Sequence, residues 1–209
     1  MAYSDFTLSR VKQDFKITVK EVPLTFAACE KVEPSQLLKD LLAEYIPLAI
    51  AISTEKARSE LLISQILTEV RRQLHYQISL FSGTEFNVDV EKGLSGYCDY
   101  LLSCSIEQLE INAPVVVIVE AKNENIKGGF GQCIAEAIAA QLFNQRNQHE
   151  LPIIYGAVTT GMNWRFLKLE DKILTINTDE YYIKEVDRIL GILIYSIKSA
   201  LNVGSPANL

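Results

Sequence analysis

The chain has 209 residues, 48% of them hydrophobic and 22% charged, a composition typical of a folded globular protein and not of a disordered or fibrous one. This length suits one domain with a sizeable core or one domain with a small extension. The formal net charge of −6 argues weakly against a nucleic-acid partner, because a local basic groove or a bound metal can offset a negative total.

Membrane, secretory and zinc-dependent roles are not expected. The most apolar stretch, residues 189–197, is too short to span a bilayer, and the first residues lack the apolar segment of a secretory signal. We therefore expect a cytoplasmic protein with no membrane partner. The four cysteines form no C-x-x-C pair and only two histidines are present, so a structural zinc site is not expected.

The N-terminal quarter combines weak and strong patterns. Residues 5–26 are predicted to form one or two short strands. Pro34 and Ser35 precede a helical spacing of leucines, and Pro47 is expected to end or kink that helix. We expect residues 1–53 to form an extension of strands and a helix that packs on the core.

The middle of the chain predicts a helix followed by strands. A helix begins near Thr54, a good N-cap, and runs to about His75 with one broad apolar stripe. After Gly83, alternating residues predict strands over 86–90 and 96–103. The continuous β-branched run 115–119 is typical of a strand buried on both faces, at the centre of a sheet.

The remaining segments complete an α/β pattern. A glycine-rich turn at 128–131 is expected to lead into an alanine-rich helix over 132–145, followed by strands and a final helix. The strands are predicted over 153–159, 164–169 and 173–176, and the helix over 183–201. The core order is helix, three strands, helix, strand, which indicates a mixed α/β domain over 54–177. Residues 178–209 are expected to form a C-terminal helix and tail.

Chemistry is suggested by Glu120 and Lys122, which follow the valine-rich run. Residues two apart on a strand share a face, so the carboxylate and the ammonium project side by side. A lone ion would be costly at the end of a buried strand, so this pair suggests a compensating metal or phosphate. Asp99, on the neighbouring predicted strand, can bring a second carboxylate to a Mg²⁺ ion. Taken alone, E-x-K is common by chance and usually marks a surface salt bridge.

Asp99, Glu120-Ala121-Lys122 and Gln132 together resemble the PD-(D/E)xK nuclease signature. Residues 159–166 are also similar to a hairpin found in the nuclease domains of type I restriction motor subunits, so the resemblance spans about residues 54–176. It implies a restriction-endonuclease-like fold, a mixed sheet flanked by helices. It also implies a Mg²⁺-dependent endonuclease, with Mn²⁺ as an alternative ion. One departure is that Asp99 follows Tyr97-Cys98 instead of the proline of the family motif.

The resemblance further implies a glutamate from the first core helix and a role for Gln132. Glu55, Glu60 and Glu69 compete for the first position. We favour Glu60 as a metal-site residue, although an exposed helix glutamate paired with an arginine is an equally good interpretation. Gln132 is expected in the first turn of its helix, where free backbone N–H groups attract anions and its amide can bind phosphate or water.

Two functions and two assembly states remain open at this stage. The chain is either an active nuclease of restriction, defence or repair type, acting on DNA or RNA, or a catalytically silent module with the same fold that binds nucleic acid or assembles proteins. The intact Asp99, Glu120 and Lys122 set favours the enzyme, with DNA as substrate. The broad apolar stripe of the C-terminal helix also suggests a homodimer through that helix, with packing inside one chain as the alternative.

Overall fold

The computed structural model describes residues 1–23 and 25–204, and within them one mixed sheet of eight strands carries helices on both faces. The helices are α1 (Leu8–Phe15), α2 (Gln36–Ile52), α3 (Glu55–Arg58), α4 (Ser64–Gln73), α5 (Ile126–Arg146) and α6 (Val186–Gly204). The strands are β1 (Thr18–Val22), β2 (Ser79–Glu85), β3 (Tyr97–Ser103), β4 (Val115–Ala121), β5 (Ile153–Thr159), β6 (Asn163–Glu170), β7 (Ile173–Asn177) and β8 (Tyr181–Tyr182).

The sheet has the strand order β1-β7-β6-β5-β4-β3-β2, and β8 pairs with β6. Strands β2, β3 and β4 form an antiparallel meander, after which α5 crosses over to β5, which is parallel to β4. The predicted order of helix, three strands, helix and strand is therefore present, and the prediction of a mixed α/β architecture is confirmed. The N-terminal region adds β1 to the sheet, parallel to β7.

Alternate residues of β4 enter two separate apolar clusters, one on each face of the sheet. Val117 and Val119 join the cluster beneath α2, α4 and α6, whereas Ile118 joins the cluster beneath α1 and α5. Every residue of β4 is buried, which confirms that the valine-rich run lies at the centre of the sheet.

A continuous helical stretch leads from α3 through a π-helical segment, Ser59–Ile63, into α4. Thr54 caps it as predicted, because its side chain accepts the backbone N–H of Ala57 at 3.2 Å. The π segment was not predicted, since the apolar stripe that crosses it reads as regular helix in the sequence.

The N-terminal prediction was wrong in one respect and is narrowed in another. Residues 8–15 form α1, not a strand, because Thr7 caps the backbone N–H of Arg10 and Val11 points into the core. Pro47 does not end α2, which continues to Ile52; the alternative, that Pro47 kinks the helix, stays a prediction. Leu24, within the segment predicted as strands, lies outside the described residues, as do residues 205–209 of the predicted tail.

Two boundaries in the middle of the chain also differ from the predictions. The first strand of the meander is β2, residues 79–85, whereas the predicted strand at 86–90 is a loop. β2 is a partly exposed edge strand with polar residues on both faces, so it lacks the alternation that identifies a half-buried strand. Helix α5 begins at Ile126 instead of 132, with Asn125 capping the backbone N–H of Gly128 at 3.0 Å.

The apolar stripe of α6 is covered within the single chain. Of the six residues that suggested a dimer interface, five are buried and Val186 is half-buried: Ile183, Val186, Leu190, Leu193, Ile194 and Ile197. The apolar surface that motivated the dimer is therefore not exposed, and the homodimer stays an untested prediction without that support. Within the described residues, no helix is both long enough and apolar enough to span a membrane.

Candidate active site

Asp99 and Glu120 lie on the adjacent antiparallel strands β3 and β4. The pairing of Tyr100 with Val119, continued by one residue, sets Asp99 opposite Glu120. The backbone N–H of Ala121 donates a hydrogen bond to Asp99 Oδ2 at 2.8 Å, which holds the Asp99 carboxylate at the end of β4. The structure thus brings together the two carboxylates that the sequence predicted as metal ligands.

Glu120 is fully buried, and its two carboxylate oxygens have different surroundings. Oε1 accepts a hydrogen bond from the ammonium of Lys122, whereas Oε2 is buried and has no hydrogen-bond partner among the described residues. Desolvation by burial, followed by the charge of Asp99, raises the pKa of Glu120 to about 8, and a hydrogen bond between the protonated carboxyl group and Asp99 adds to the shift, although Lys122 opposes it. An unpartnered oxygen on a buried carboxylate is costly and is the kind of atom that a bound cation satisfies.

Lys122 lies immediately after β4, with a half-buried side chain. Its backbone N–H donates to Thr159 O of β5 at 2.8 Å, so the sheet holds the residue in place. Its ammonium donates to Glu120 and, at 3.4 Å, to Gln132 Oε1. Burial alone lowers the pKa of Lys122, but the charge of Glu120 and the hydrogen bond to it outweigh burial, so the net shift is upward.

Gln132 joins the site from α5, but not from the first turn that the sequence predicted. The helix begins at Ile126, so Gln132 lies in its second turn, where the N–H groups of the helix start are no longer free. The glycines expected to form a turn belong to α5. A Cβ on Gly129 would lie 2.6 Å from Val158 Cγ1 and 3.0 Å from Lys122 Cγ. Glycine therefore allows α5 to lie close over Lys122.

Glu136 is a member of this cluster that sequence reasoning did not include. It is fully buried, and its Oε1 accepts the side-chain N–H of Gln132 at 3.1 Å. Burial and then the charge of Glu120 raise its pKa well above that of an ordinary glutamate. The sequence offered one signal for it: Glu136 lies in an alanine-rich segment, one helical turn after Gln132.

The three first-helix glutamates have different environments. Glu69 is fully buried and accepts hydrogen bonds from Ser35, Gln73 and Arg72, so it anchors the start of α2 and lies apart from the site. Glu60, which the sequence favoured, is 64% exposed and pairs with Lys56 at 3.6 Å. No hydrogen bond or ion pair among the described residues joins the Glu60 side chain to Asp99, Glu120 or Lys122.

Glu55 and Glu60 are both exposed acids whose charges reach residues of the site. The charge of Glu60 contributes to the raised pKa of Tyr100, which follows Asp99 on β3. The negative charge of Glu55 contributes to the raised pKa of Lys122. The choice of Glu60 as a site residue stays a prediction, with Glu55 as the alternative that acts on Lys122.

The donor set suits a magnesium ion that keeps much of its water. Asp99 and Glu120 offer carboxylate oxygens, and the free Oε2 of Glu120 is one such oxygen. In the described part of the chain, no group of three or more His, Cys, Asp or Glu residues is arranged to hold a metal ion. Two carboxylates completed by water and substrate phosphate are sufficient for Mg²⁺, which is commonly bound in that way.

The comparisons with known proteins add no relative. No protein-family model matches the chain, and neither a curated protein nor a solved structure does. Function therefore has to be argued from the residues of the site.

Proposed function

We propose that the chain is a metal-dependent nuclease that hydrolyses phosphodiester bonds of nucleic acid, with DNA as the favoured substrate. The observation that carries the proposal is the cluster of Asp99, Glu120 and Lys122 at the end of the central strands. It combines two hard oxygen donors with a cation, and one buried oxygen of Glu120 has no protein partner among the described residues. Such a combination suits a cation and a phosphate bound side by side.

Asp99 and Glu120 would hold the ion, Mg²⁺ or alternatively Mn²⁺. When bound, the ion supplies positive charge against the phosphate oxygens and acidifies a water molecule. Lys122, which donates a hydrogen bond to Glu120, is the group that orients the attacking water. Its ammonium also stabilises the negative charge that develops on the phosphate in the transition state. Gln132 fixes the ammonium from the other side through its Oε1.

The order of elements in the core supports the same assignment. A helix, the meander β2-β3-β4, the crossover helix α5 and the parallel strand β5 follow the order implied by the resemblance to PD-(D/E)xK nucleases. We therefore propose a restriction-endonuclease-like fold for the core. The N-terminal helices, β1 and α6 are additions to that core.

A direct assay tests the proposal. The purified full chain is incubated with labelled single-stranded, duplex and branched DNA and RNA, in Mg²⁺, Mn²⁺ or chelator. Metal-dependent cleavage of at least one substrate is the expected result. Binding without cleavage in either metal would favour the silent nuclease-fold module instead.

A further inference from the structure

A polar cleft of about 460 Å³ lies beside the catalytic cluster, where Asn123 follows Lys122. Three cationic side chains line it, from three different elements: Arg58 ends α3, Lys127 lies in the first turn of α5, and Arg165 is in β6. This positive group is unexpected in a chain whose formal net charge is −6. Two acids, Glu124 and Glu180, also line the cleft, so the cations remain in excess.

The three cations of the cleft outnumber its two acids and form no direct ion pair with them within the described residues. None of the ion pairs among residues 1–23 and 25–204 involves Arg58, Lys127 or Arg165. The Nε atoms of both arginines are buried and have no hydrogen-bond partner in that part of the chain. Buried donors without acceptors are rare in native proteins, and here two of them belong to the same cleft.

Arg165 is held in position by other parts of the fold. Its Nη2 donates to the backbone oxygen of Asn177 at 3.0 Å, and its guanidinium carbon lies 5.3 Å from the centre of the Phe130 ring. These contacts fix the guanidinium and leave its Nε unbonded within the described residues. A fixed guanidinium is suited to phosphate oxygens because its N–H groups lie in one plane; since Nε is buried, the terminal N–H groups are the ones that can serve the cleft.

The cleft lies next to the cluster, at the ends of β4 and β5. The backbone of Lys122 pairs with Thr159, and the next residue on each strand, Asn123 and Thr160, lines the cleft. Helix α3 contributes to both sites, since Arg58 lines the cleft and Glu55 affects the pKa of Lys122. A strand bound at the cluster can therefore extend into the cleft.

We propose that this cleft binds a phosphate group of the nucleic-acid strand, next to the phosphodiester held at Asp99, Glu120 and Lys122. The inference rests on the proposed function and adds a substrate-positioning site to it. Arg58, Lys127 and Arg165 supply positive charge next to the cluster. Their contacts fix the register of the strand and carry no base specificity.

Binding without catalysis tests the cleft. Fluorescence anisotropy of labelled single-stranded DNA and RNA of one sequence is measured in chelator over a series of salt concentrations. Lys127→Gln removes one charge from an exposed position, and Arg165→Gln removes the fixed guanidinium. Lys198→Gln, at an exposed lysine of α6 that does not line the cleft, is the matched control.

Each cleft variant is expected to bind several-fold more weakly than the parent. The slope of log K against log salt should fall by about 0.7 for each phosphate of the single strand that the variant no longer neutralises. Lys198→Gln should match the parent in both quantities. Comparing the affinities for single-stranded DNA and RNA shows which of the two the cleft prefers.

The outcomes separate the cleft from the proposed hydrolysis. If the parent binds neither nucleic acid, or if both cleft variants keep the affinity and salt slope of the parent, the cleft inference is overturned. If the variants bind more weakly as expected but the parent cleaves nothing in Mg²⁺ or Mn²⁺, the cleft stands and the proposed hydrolysis fails. Thermal unfolding of each variant checks that weaker binding does not come from a failure to fold.

Discussion

Lys122 Nζ lies 3.4 Å from Gln132 Oε1, so the end of the central strand β4 is joined to the crossover helix α5 by two polar side chains. The same amide donates to Glu136 at 3.1 Å, and the same ammonium donates to Glu120. Two buried carboxyl groups are thus connected through one ammonium and one amide. This network links the polar side chains of the site in an otherwise apolar part of the fold.

Glu120→Gln is expected to change how stability depends on pH in the metal-free protein. Because the folded-state pKa of Glu120 is raised to about 8, its folded form favours the proton, and stability is lost as pH rises from the ordinary carboxyl range through about 8. Glutamine cannot ionise, so the variant should lack this loss, on the order of a few kcal/mol. Urea unfolding in chelator from pH 5 to pH 9 measures it. Parallel pH profiles for parent and variant would contradict the buried-acid account.

Glu136 is expected to behave as a neutral group at pH 7. Its raised pKa means that Glu136→Gln should retain the hydrogen bond with Gln132 and unfold at nearly the parent's denaturant concentration. Glu136→Ala should cost about 2 kcal/mol, because it leaves a buried amide without its acceptor and opens a cavity. Equilibrium unfolding of the two variants is the measurement. A large loss of stability for the glutamine variant would mean that Glu136 is ionised.

Glu55 and Glu60 form a matched pair for identifying the first-helix acid. The charge of Glu55 affects the pKa of Lys122, whereas that of Glu60 is paired with Lys56. Glu55→Gln is therefore expected to lower cleavage several-fold, and Glu60→Gln to leave the rate within about twofold of the parent, as for a surface salt bridge. Initial cleavage rates under identical Mg²⁺ decide it. The reverse ranking would favour Glu60 as the site residue.

Glu69 is expected to stabilise the fold and to do so only above acidic pH. Burial alone raises its pKa, but hydrogen bonds from Ser35 and Gln73 and the charge of Arg72 outweigh burial, so the pKa is lowered. Its contribution is therefore present above the ordinary glutamate range and lost as pH falls through the lowered value. Glu69→Gln should cost about 2 kcal/mol at pH 7 and much less at pH 3. An equal cost at both pH values would show that the carboxylate charge is not involved.

The central part of the site could be predicted from sequence because its signals are local. The run of β-branched residues identifies β4, and the spacing of Glu120 and Lys122 on that strand predicts that they meet. Asp99 required one further assumption, that β3 pairs with β4, and the pairing of Tyr100 with Val119 shows that it does.

The parts that sequence reasoning missed depend on tertiary contacts. Glycine often marks the end of a helix, but Gly131 lies within α5. The backbone of Phe6 packs so closely against the helix there that a Cβ would collide with it, so the position requires glycine. The edge strand β2 has no buried face to create an alternating pattern. The π-helical segment that begins at Ser59 was also missed, because a single wide turn leaves no mark on the apolar stripe.

The central claim, that Lys122 belongs to a hydrolytic site, is tested by comparing Lys122→Ala with Lys168→Ala. Both lysines are paired with a glutamate two residues away and are similarly covered, with side chains 25% and 28% exposed. In Mg²⁺ and with the substrate that the parent cuts, Lys122→Ala is expected to lose cleavage by orders of magnitude while it still unfolds cooperatively, well above the assay temperature. Lys168→Ala should cut like the parent. Equal cleavage rates for the two variants would contradict the account and leave Lys122 as a strand-end charge.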